Sequence, residues 1–250
     1  MGFVTRERKE WLHDIDLAWI ADAGTDMIGI GASGVLGGSI IVHGKDGHAG
    51  YPHRADNAVH KLIELASALR KYEAISEAKR SRASAPPESP HSNVWGRFNI
   101  TILSAGTKTN VIPEQAEAGF DLRFLPEENK EDAIAEFDRF FKRTVEILDI
   151  DAQYSIVYGH EGYLQPMSPT IERFGDRVMD ALGKKIPYGA ELGGNDGPFL
   201  FDMEIPTICF APIESDSRFH MANEFIRIDT LDKMSAVVCE VFCNWEKIGE

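Results

Sequence analysis

The amino-acid sequence predicts a mixed α/β chain into which an α+β unit is inserted. Three observations predict this class. Between residues 35 and 158, strand-like and helical stretches follow the order β-α-β-β-α-β. After residue 165, a helix, a glycine-rich turn, a buried strand and a last helix follow one another, as in part of an α/β sheet domain. With 250 residues and 43% hydrophobic content, the chain is long enough to bury a core of this kind.

The first elements are an apolar strand and a glycine-flanked histidine loop. The apolar run that begins at Leu17 stops at Asp22, and the carboxyl ends of strands in α/β sheets commonly carry functional groups. Asp22 is therefore a candidate site residue, although a turn aspartate before Gly24 fits the same pattern. Residues 38–43 are typical of a strand, which runs into the histidine loop 44–57.

Two amphipathic helices and three further strands complete the inserted unit. Asp56 or Asn57 caps the first helix, and Asn129 opens the second. Residues 76–92 are too polar and proline-rich to pack, which predicts a long mobile loop. The further strands are expected at 95–104, 116–124 and 152–158. The resulting ferredoxin-like arrangement has two helices on one face, and a partner chain could occupy an edge of its sheet.

The last part of the chain reads as a separate α/β unit. Ser168 caps a helix that begins at Pro169, because proline is favoured at the first helical position. A Gly-Gly-Asn-Asp-Gly turn at 193–197 precedes a buried strand at 206–211. Asp229 is expected to cap the final helix.

Composition narrows the partners and the location. The net charge of −14 argues against nucleic acid and anionic membranes, since both need a basic face. The chain has no apolar run of about 18 residues for a membrane span, and its first residues lack the apolar core of a signal peptide. Cys209, Cys239 and Cys243 are too few for a disulfide framework, and the last two are expected to be small buried thiols. We therefore expect a cytoplasmic protein.

Two residues fit a metal site without completing it. Asp22 and His220 together suit zinc or manganese, but one carboxylate and one imidazole cannot fill a four-coordinate geometry. Taken alone, His220 is more typical of a hydrogen-bonded histidine than of a metal ligand.

Five motifs in order carry a family resemblance. They are the histidine loop extended to His60, Asn110-Val111-Ile112-Pro113, Asp121-Leu122-Arg123-Phe124, Gly193-Gly194-Asn195-Asp196-Gly197 and His220-Met221-Ala222-Asn223-Glu224. The set resembles the dinuclear zinc amidohydrolases and metallopeptidases, which include succinyl-diaminopimelate desuccinylase, acetylornithine deacetylase and glutamate carboxypeptidase. The resemblance spans residues 17–245, and the histidine loop is most similar to that of the desuccinylase.

The resemblance implies a division of labour along the chain. Residues 1–34 and 159–250 would be the remnant of a metallo-catalytic domain, and residues 35–158 would be its lid and dimerisation domain. A homodimer would form through the lid, and the substrate would be a small N-acyl amino acid or peptide. Residue by residue, the implied roles are oxyanion binding in trans for His48 with help from Asn110, substrate-carboxylate binding for Arg123, cleft lining for Gly193, Gly194 and Asn195, and metal ligation for Asp22 and His220.

The sequence also departs from the family pattern. The family's His-x-Asp pair and Asp-Glu-Glu run, which supply other metal ligands and the general base, are not found in these residues. The complete enzyme would bind two zinc ions, or cobalt or manganese in their place. This chain alone need not bind any metal ion. The resemblance thus predicts the C-terminal portion of a metal-dependent hydrolase of N-acyl amino acids or peptide amide bonds, inactive alone. The alternative is a non-catalytic dimerisation or binding module derived from that family.

Overall fold

The computed structural model describes residues 5, 7, 9–22, 24, 26–214, 216–218 and 220–245. Contacts between Cα atoms divide the chain into two compact units. The first unit comprises Met1–Ser33, Ser81–Val94 and Gly162–Glu250, and the second comprises Gly34–Arg80 and Trp95–Glu161. Residues 81–94, which the sequence prediction placed in the lid, therefore group with the first unit. No helix in the described ranges is long and apolar enough to cross a membrane.

The secondary structure follows the chain from strand β1 to helix α5. The strands are β1 (Ala18–Ile20), β2 (Ile28–Ala32), β3 (Gly34–His43), β4 (Gly47–His48), β5 (Arg80–Ser84), β6 (Asn93–Trp95), β7 (Arg97–Ala105), β8 (Val111–Ile112), β9 (Gln115–Phe124), β10 (Ala152–His160), β11 (Tyr163–Leu164), β12 (Tyr188–Glu191) and β13 (Thr207–Cys209). The α-helices are α1 (Ala58–Ala78), α2 (Lys130–Leu148), α3 (Pro169–Leu182), α4 (Gly197–Phe201) and α5 (Ile228–Asn244), and short 3-10 helices lie at Lys9–Leu12 and Pro52–Arg54. The strands predicted near 95–104, 116–124 and 152–158 correspond to β7, β9 and β10.

The second unit is an antiparallel sheet covered by two helices. Its strands lie in the order β10-β3-β9-β7, and the chain visits the elements as β3-α1-β7-β9-α2-β10. The predicted ferredoxin-like arrangement is confirmed. Both helices contribute to one core, in which the rings of Tyr72, Phe98, Phe120 and Phe137 have centroids 4.9 to 5.9 Å apart. Such edge-to-face and offset pairs each add about 0.5–1.5 kcal/mol beyond the buried area.

Asparagine side chains begin both helices of this unit. The Asn57 side chain accepts a hydrogen bond from the backbone N–H of Val59 at 3.0 Å, so Asn57 rather than Asp56 is the cap of α1. The Asn129 side chain accepts from the backbone N–H of Glu131 at 2.8 Å and opens α2, as predicted. These caps fix where the chain leaves the histidine loop and where the second helix starts.

The sheet face opposite the core carries polar side chains. Along β9 the even-numbered residues are buried, whereas Glu117, Asp121 and Arg123 alternate with them and lie on the other face. In the β7–β9 register, Arg97 stands directly opposite Arg123. Within the described residues of this unit, both helices pack on the core face of the sheet.

The first unit is built around a five-stranded mixed sheet. Strand β1 pairs in parallel with β13, and β12 pairs in parallel with β2, whereas β11 and β13 run antiparallel to β2. Helices α3 and α5 pack together with this sheet, and their shared core includes Ile28, Phe174, Val178, Phe210 and Val237. The predicted mixed α/β class is confirmed for this unit.

In this unit, one predicted helix cap is confirmed, and the predictions for the other cap and for two thiols are wrong. The Ser168 side chain accepts a hydrogen bond from the backbone N–H of Ile171 at 3.4 Å and caps α3, as predicted. The predicted cap Asp229 is wrong, because Arg227 occupies the cap position of α5 and Asp229 lies in the first turn. The expectation that Cys239 and Cys243 are buried is also wrong, since both are exposed.

A short hairpin replaces the mobile loop predicted at 76–92. Strands β5 and β6 pair with each other, and the N–H of Ala85 donates to the carbonyl of Ser92 at 3.0 Å. Ala83 and Val94 are buried against Ala190 of β12. Composition misled the prediction, because small side chains alternate with arginine and serine in β5 and bury every second residue.

Candidate active-site residues of the two units

In the second unit, the structure brings two predicted site residues together. Strand β4 of the histidine loop pairs with β8, so that His48 lies opposite Val111. The N–H of Ala49 then donates to the carbonyl of Asn110 at 3.0 Å. His48 and Asn110 are 62 positions apart in sequence but lie in neighbouring backbone segments.

The histidine loop is closed at its base and ordered at its tip. Lys45 and Asp56 exchange two backbone hydrogen bonds, at 2.7 and 2.9 Å, where the loop begins and ends. At the tip, the ring centroids of His48 and Tyr51 lie 5.7 Å apart, and the guanidinium of Arg54 lies 5.5 Å from the Tyr51 centroid. These contacts restrict an exposed imidazole that a wholly flexible loop would not hold in place.

The tautomer of His48 follows from its hydrogen bond. The backbone N–H of Gly50 donates to Nδ1 of His48 at 3.0 Å. Since Nδ1 is the acceptor, the neutral ring carries its proton on Nε2, which becomes a hydrogen-bond donor. A Cβ atom at position 50 would lie 3.1 Å from Nδ1, so glycine permits this close approach of backbone and ring.

Arg123 lies far from His48 in the same unit. Val35 opposes Arg123 at one end of β9, and His43 opposes Gln115 at the other end, next to the histidine loop. The strand between them spans roughly 25 Å at about 3.4 Å per residue. A small substrate therefore cannot touch His48 and Arg123 of one chain at the same time.

The guanidinium of Arg123 already holds a carboxylate. Its Nε donates to Oδ1 of Asp121 at 2.7 Å, and its Nη2 donates to Oδ2 at 3.0 Å. One edge of the fork that the sequence prediction assigned to a substrate is thus occupied by the chain itself. Asp121 orients Arg123, and a ligand would meet the remaining N–H groups.

In the first unit, a second carboxylate lies near Asp22. Asp22 is exposed and follows β1, as predicted. Burial, and after it the negative charge of Asp22, raises the pKa of the Glu191 carboxyl to about 7. Sequence reasoning missed Glu191, although a carboxylate at the end of a strand and two residues before a glycine is the same signal that selected Asp22.

The glycine turn is held by the side chain of Asn195. Its Oδ1 accepts from the N–H of Gly197 at 2.8 Å, and its Nδ2 donates to Sγ of Cys209 at 3.0 Å. Burial raises the pKa of the Cys209 thiol to about 12, so this sulfur stays protonated and is no nucleophile. Asn195 therefore shapes the turn, while the Cα of Gly193 faces open space. Gly194 lies between them.

His220 lies in a turn with unusual backbone. The backbone φ angles of Arg218, His220 and Asn223 are 56°, 61° and 61°, in the left-handed region that non-glycine residues rarely adopt. Strain of this kind is frequent at functional sites. His220 is exposed.

The donor set of this chain does not by itself fit a dinuclear metal centre. Among the described residues, no three or more His, Cys, Asp and Glu side chains are grouped so that they could hold a metal ion. Asp22 and His220 would supply two ligands, which is fewer than one tetrahedral ion requires. Any metal centre would need further ligands from elsewhere.

Comparison with known proteins agrees with this arrangement. Residues 30–147 match the M20 peptidase dimerisation domain. The succinyl-diaminopimelate desuccinylase of Methylorubrum extorquens is 31% identical over 222 residues, which cover 85% of this chain and 51% of that protein. For the desuccinylase of Thioalkalivibrio sulfidiphilus the identity is 28%, over 85% of this chain and 52% of that protein. The chain spans about half the length of the curated relatives it matches.

Solved structures share the fold at low sequence identity. A tripeptidase from Staphylococcus aureus aligns with a TM-score of 0.70 and 19% identity, over 96% of this chain and 60% of that one. A di-peptidase from Saccharomyces cerevisiae aligns with a TM-score of 0.76 and 13% identity, over 98% of this chain and 63% of that one. At these identities the comparison shows the fold alone.

Proposed function

We propose that this chain, which is similar to succinyl-diaminopimelate desuccinylases and whose residues 30–147 match the M20 peptidase dimerisation domain, forms part of a dimeric, metal-dependent amide hydrolase. The substrate would be an N-acyl amino acid or a peptide, cleaved beside a free carboxylate. The acyl group could be succinyl or acetyl, and the chain's relatives named as desuccinylases favour the first.

One observation carries the dimeric part of this proposal. Arg123 lies near one end of β9, and the histidine loop that carries His48 begins beside the other end, roughly 25 Å away along the strand. If both contact the same small substrate, they must come from two different chains. Each complete site would then combine Arg123 of one chain with His48 of its partner.

The chain's own residues would bind and polarise the substrate. The Nε2–H of His48 would donate to the carbonyl oxygen as negative charge develops on it, and the neighbouring Asn110 would help at the same site. Removing one such donor typically lowers the rate by about 10²- to 10³-fold. Arg123 would hold a substrate carboxylate through the N–H groups that Asp121 does not occupy. Gly193 and Gly194 would line the cleft in a turn held by Asn195.

The metal-dependent chemistry requires more than this chain supplies. A bound zinc, cobalt or manganese ion would activate the attacking water in such a hydrolase. Asp22 and His220 would each contribute a ligand, and the other ligands and the general base would come from a segment outside these residues.

The free thiols at Cys239 and Cys243 support the expected cytoplasmic location, where cysteines stay reduced.

A groove between helix α1 and the edge strand β7 of the second unit is the proposed dimer surface. Ile102 and Leu103 of the edge strand β7 are 61% and 59% exposed, and Ile63 of α1 is 60% exposed. An edge strand with exposed apolar residues invites pairing with another chain. We propose that two copies meet along β7 and α1.

A mixing experiment tests the shared site. The gene product, including any residues encoded before Met1, would be prepared as His48→Ala and as Arg123→Gln, and hydrolysis of N-succinyl and N-acetyl amino acids would be measured with zinc. Each variant alone should lose most activity. An equimolar, re-equilibrated mixture should regain about a quarter of wild-type activity, because half of the dimers are hybrids and each hybrid has one intact site. No recovery would contradict a site built from both chains.

The alternative is a non-catalytic dimerisation module. The observation that favours it is that only Asp22 and His220 of the expected ligand set lie in the described residues. Metal analysis of the purified gene product separates the two functions. Two tightly bound ions per chain would support the hydrolase, and a metal-free dimer without hydrolytic activity would support the module.

A further inference from the structure

The outer side of helix α5 carries an apolar stripe that its own unit leaves uncovered. The stripe consists of four side chains that are 78%, 44%, 38% and 75% exposed: Ile228, Leu231, Val238 and Phe242. Spacings of three, seven and four residues place them on one side of the helix. The buried side chains Val237 and Val241 follow a neighbouring line of the same helix and join the core of the first unit. The apolar surface of α5 is therefore wider than the part that this unit buries.

Strand β1 is an open edge of the sheet in the first unit. Of the described strands, only β13 pairs with it. The N–H of Ala18 donates to the carbonyl of Pro206 at 2.8 Å. The carbonyl of Ile20 accepts from the N–H of Phe210 at 3.1 Å. Because the backbone groups of successive strand residues point to opposite sides, the N–H and the carbonyl of Trp19 face away from β13. They have no hydrogen-bond partner among the described residues and can pair with an additional strand.

The stripe and the open edge form one continuous surface. The rings of Trp19 and Phe242 are stacked, with centroids 6.4 Å apart and planes inclined by 21°. Trp19 also meets Phe174 of α3 edge-to-face at 5.0 Å, so its side chain lies on the face of the sheet that α3 and α5 cover. In α/β layers, a strand added to the sheet commonly brings a helix to the neighbouring position of the helix layer. A partner that adds one strand to β1 can thus lay a helix along the stripe.

The similar proteins have enough additional chain to supply such a partner. The aligned part covers 51% of the Methylorubrum extorquens desuccinylase and 60% of the Staphylococcus aureus tripeptidase. A contiguous exposed apolar patch is typical of a protein interface. The open edge beside it fits a partner segment that contains a strand as well as a helix.

We propose that β1 and the α5 stripe dock a strand-and-helix segment encoded by the same gene outside these 250 residues. Strand β1 runs parallel to β13, and Asp22 follows its carboxyl end. A segment strand that is also parallel to β1 would end next to Asp22, since the carboxyl ends of parallel strands meet at the same edge of the sheet. The docked segment would then bring further metal ligands to Asp22. This last step rests on the proposed function, whereas the docking surface does not.

Hydrogen exchange of the Trp19 backbone amide tests the docking surface. The 250-residue chain would be compared with the product of its complete gene, and exchange at single residues would be resolved by fragmentation in the mass spectrometer. The Trp19 N–H should exchange at least about a hundredfold more slowly in the gene product, because a hydrogen bond to the added strand protects it. Equal exchange in both proteins, or a gene that encodes no further residues, would overturn the proposal. Protection in the 250-residue chain that is lost on dilution would also overturn it, because the occupant would then be a second copy.

Paired substitutions on α5 test the stripe within the gene product. Leu231→Glu places a charge under the docked helix and should speed exchange of the Trp19 N–H at least about tenfold. Leu231 lies roughly 16 Å along the helix from Phe242, so this effect cannot arise from contact with the Trp19 ring. Ala236→Glu adds the same charge at an exposed position about 140° around α5 and should leave the rate unchanged. Equal rates for the two variants would contradict the docked helix.

A second variant covers a loss of folding. If Leu231→Glu does not fold, Ile228→Glu takes its place, because Ile228 is 78% exposed and an acid is favourable in the first turn of a helix. Ile228→Glu should also speed exchange of the Trp19 N–H relative to Ala236→Glu. An unchanged rate would overturn the role of the stripe.

The outcome is separable from that of the proposed function. If the gene product hydrolyses no N-acyl amino acid but protects the Trp19 N–H as expected, the hydrolase proposal fails and the docking surface stands. If the gene product is active while the Trp19 N–H exchanges as fast as in the 250-residue chain, the hydrolase stands and this inference fails.

Discussion

The backbone N–H of Gly50 donates to Nδ1 of His48 at 3.0 Å, and this bond determines which ring nitrogen can serve a ligand. The neutral imidazole must carry its proton on Nε2. The turn from His48 to Gly50 thus sets Nε2 as the hydrogen-bond donor of the ring.

Removing that donor should lower the rate rather than substrate affinity. In the proposed hydrolase, His48→Ala should reduce kcat by about 10²- to 10³-fold with a smaller change in KM, because the hydrogen bond strengthens as charge develops on the oxygen. Steady-state kinetics on the full gene product measures both constants.

The matched control lies in the same loop. His53 is exposed, and its ring centroid lies 6.3 Å from that of Tyr51, but it has no bond to the backbone N–H of Gly50. His53→Ala should change kcat less than about threefold. Equal losses for both variants would mean that the loop, and not Nε2 of His48, is what the reaction needs. Nitrogen-15 NMR of the His48 ring should also report an unprotonated Nδ1 in the neutral form.

Local sequence patterns predicted most of the helices and strands, but they did not predict which side chains contact one another. Periodicity predicted both helices of the second unit, and Asn129 was recognisable as a cap. Nothing in the sequence spacing indicated that Asp121 would occupy Arg123, because the same pattern fits a guanidinium waiting for a substrate. The hairpin around Ala83 escaped because its burial depends on Ala190, which is more than 100 positions away.

The raised pKa of Glu191 predicts a specific dependence of stability on pH. Its folded-state pKa of about 7 exceeds the ordinary value of 4.5, so the folded chain binds the proton more tightly than the unfolded chain. The stabilisation is complete below about pH 4.5 and is lost as the pH rises through about 7. As the pH rises through this window, ionisation of Glu191 should lower the free energy of unfolding by up to about 3 kcal/mol, at 1.36 kcal/mol per pKa unit.

Glu191→Gln removes the titration and should flatten that dependence. Urea unfolding in a chelating buffer at pH 5 and pH 8 should show the variant gaining stability relative to wild type at pH 8. Asp22→Asn is the companion variant, and it should weaken the dependence only in part because burial is the larger cause. Parallel curves for wild type and Glu191→Gln would contradict a titrating Glu191.

The hairpin of β5 and β6 should be as ordered as the sheet it covers. Val94 is fully buried, so Val94→Asp places a carboxylate in an apolar contact and should cost at least about 2 kcal/mol locally. The backbone N–H of Ala85 should then exchange with solvent about thirtyfold faster. Hydrogen exchange followed by mass spectrometry measures this exchange rate. Glu88→Gln, an exposed change in the same turn, should leave the exchange rate as it is, and rapid exchange in the wild type would refute the ordered hairpin.

The two edges of the second unit allow the dimer surface to be tested within one sheet. Ile102 lies on the edge strand β7 and is 61% exposed, and Val157 lies on the opposite edge strand β10 and is 70% exposed. If two copies meet along β7, Ile102→Glu buries a charge against the partner and should weaken dimerisation at least about tenfold. Val157→Glu introduces the same charge at a similar exposed site and should not change it. Sedimentation velocity over a range of concentrations measures both, and dissociation by Val157→Glu alone would assign the interface to β10 instead.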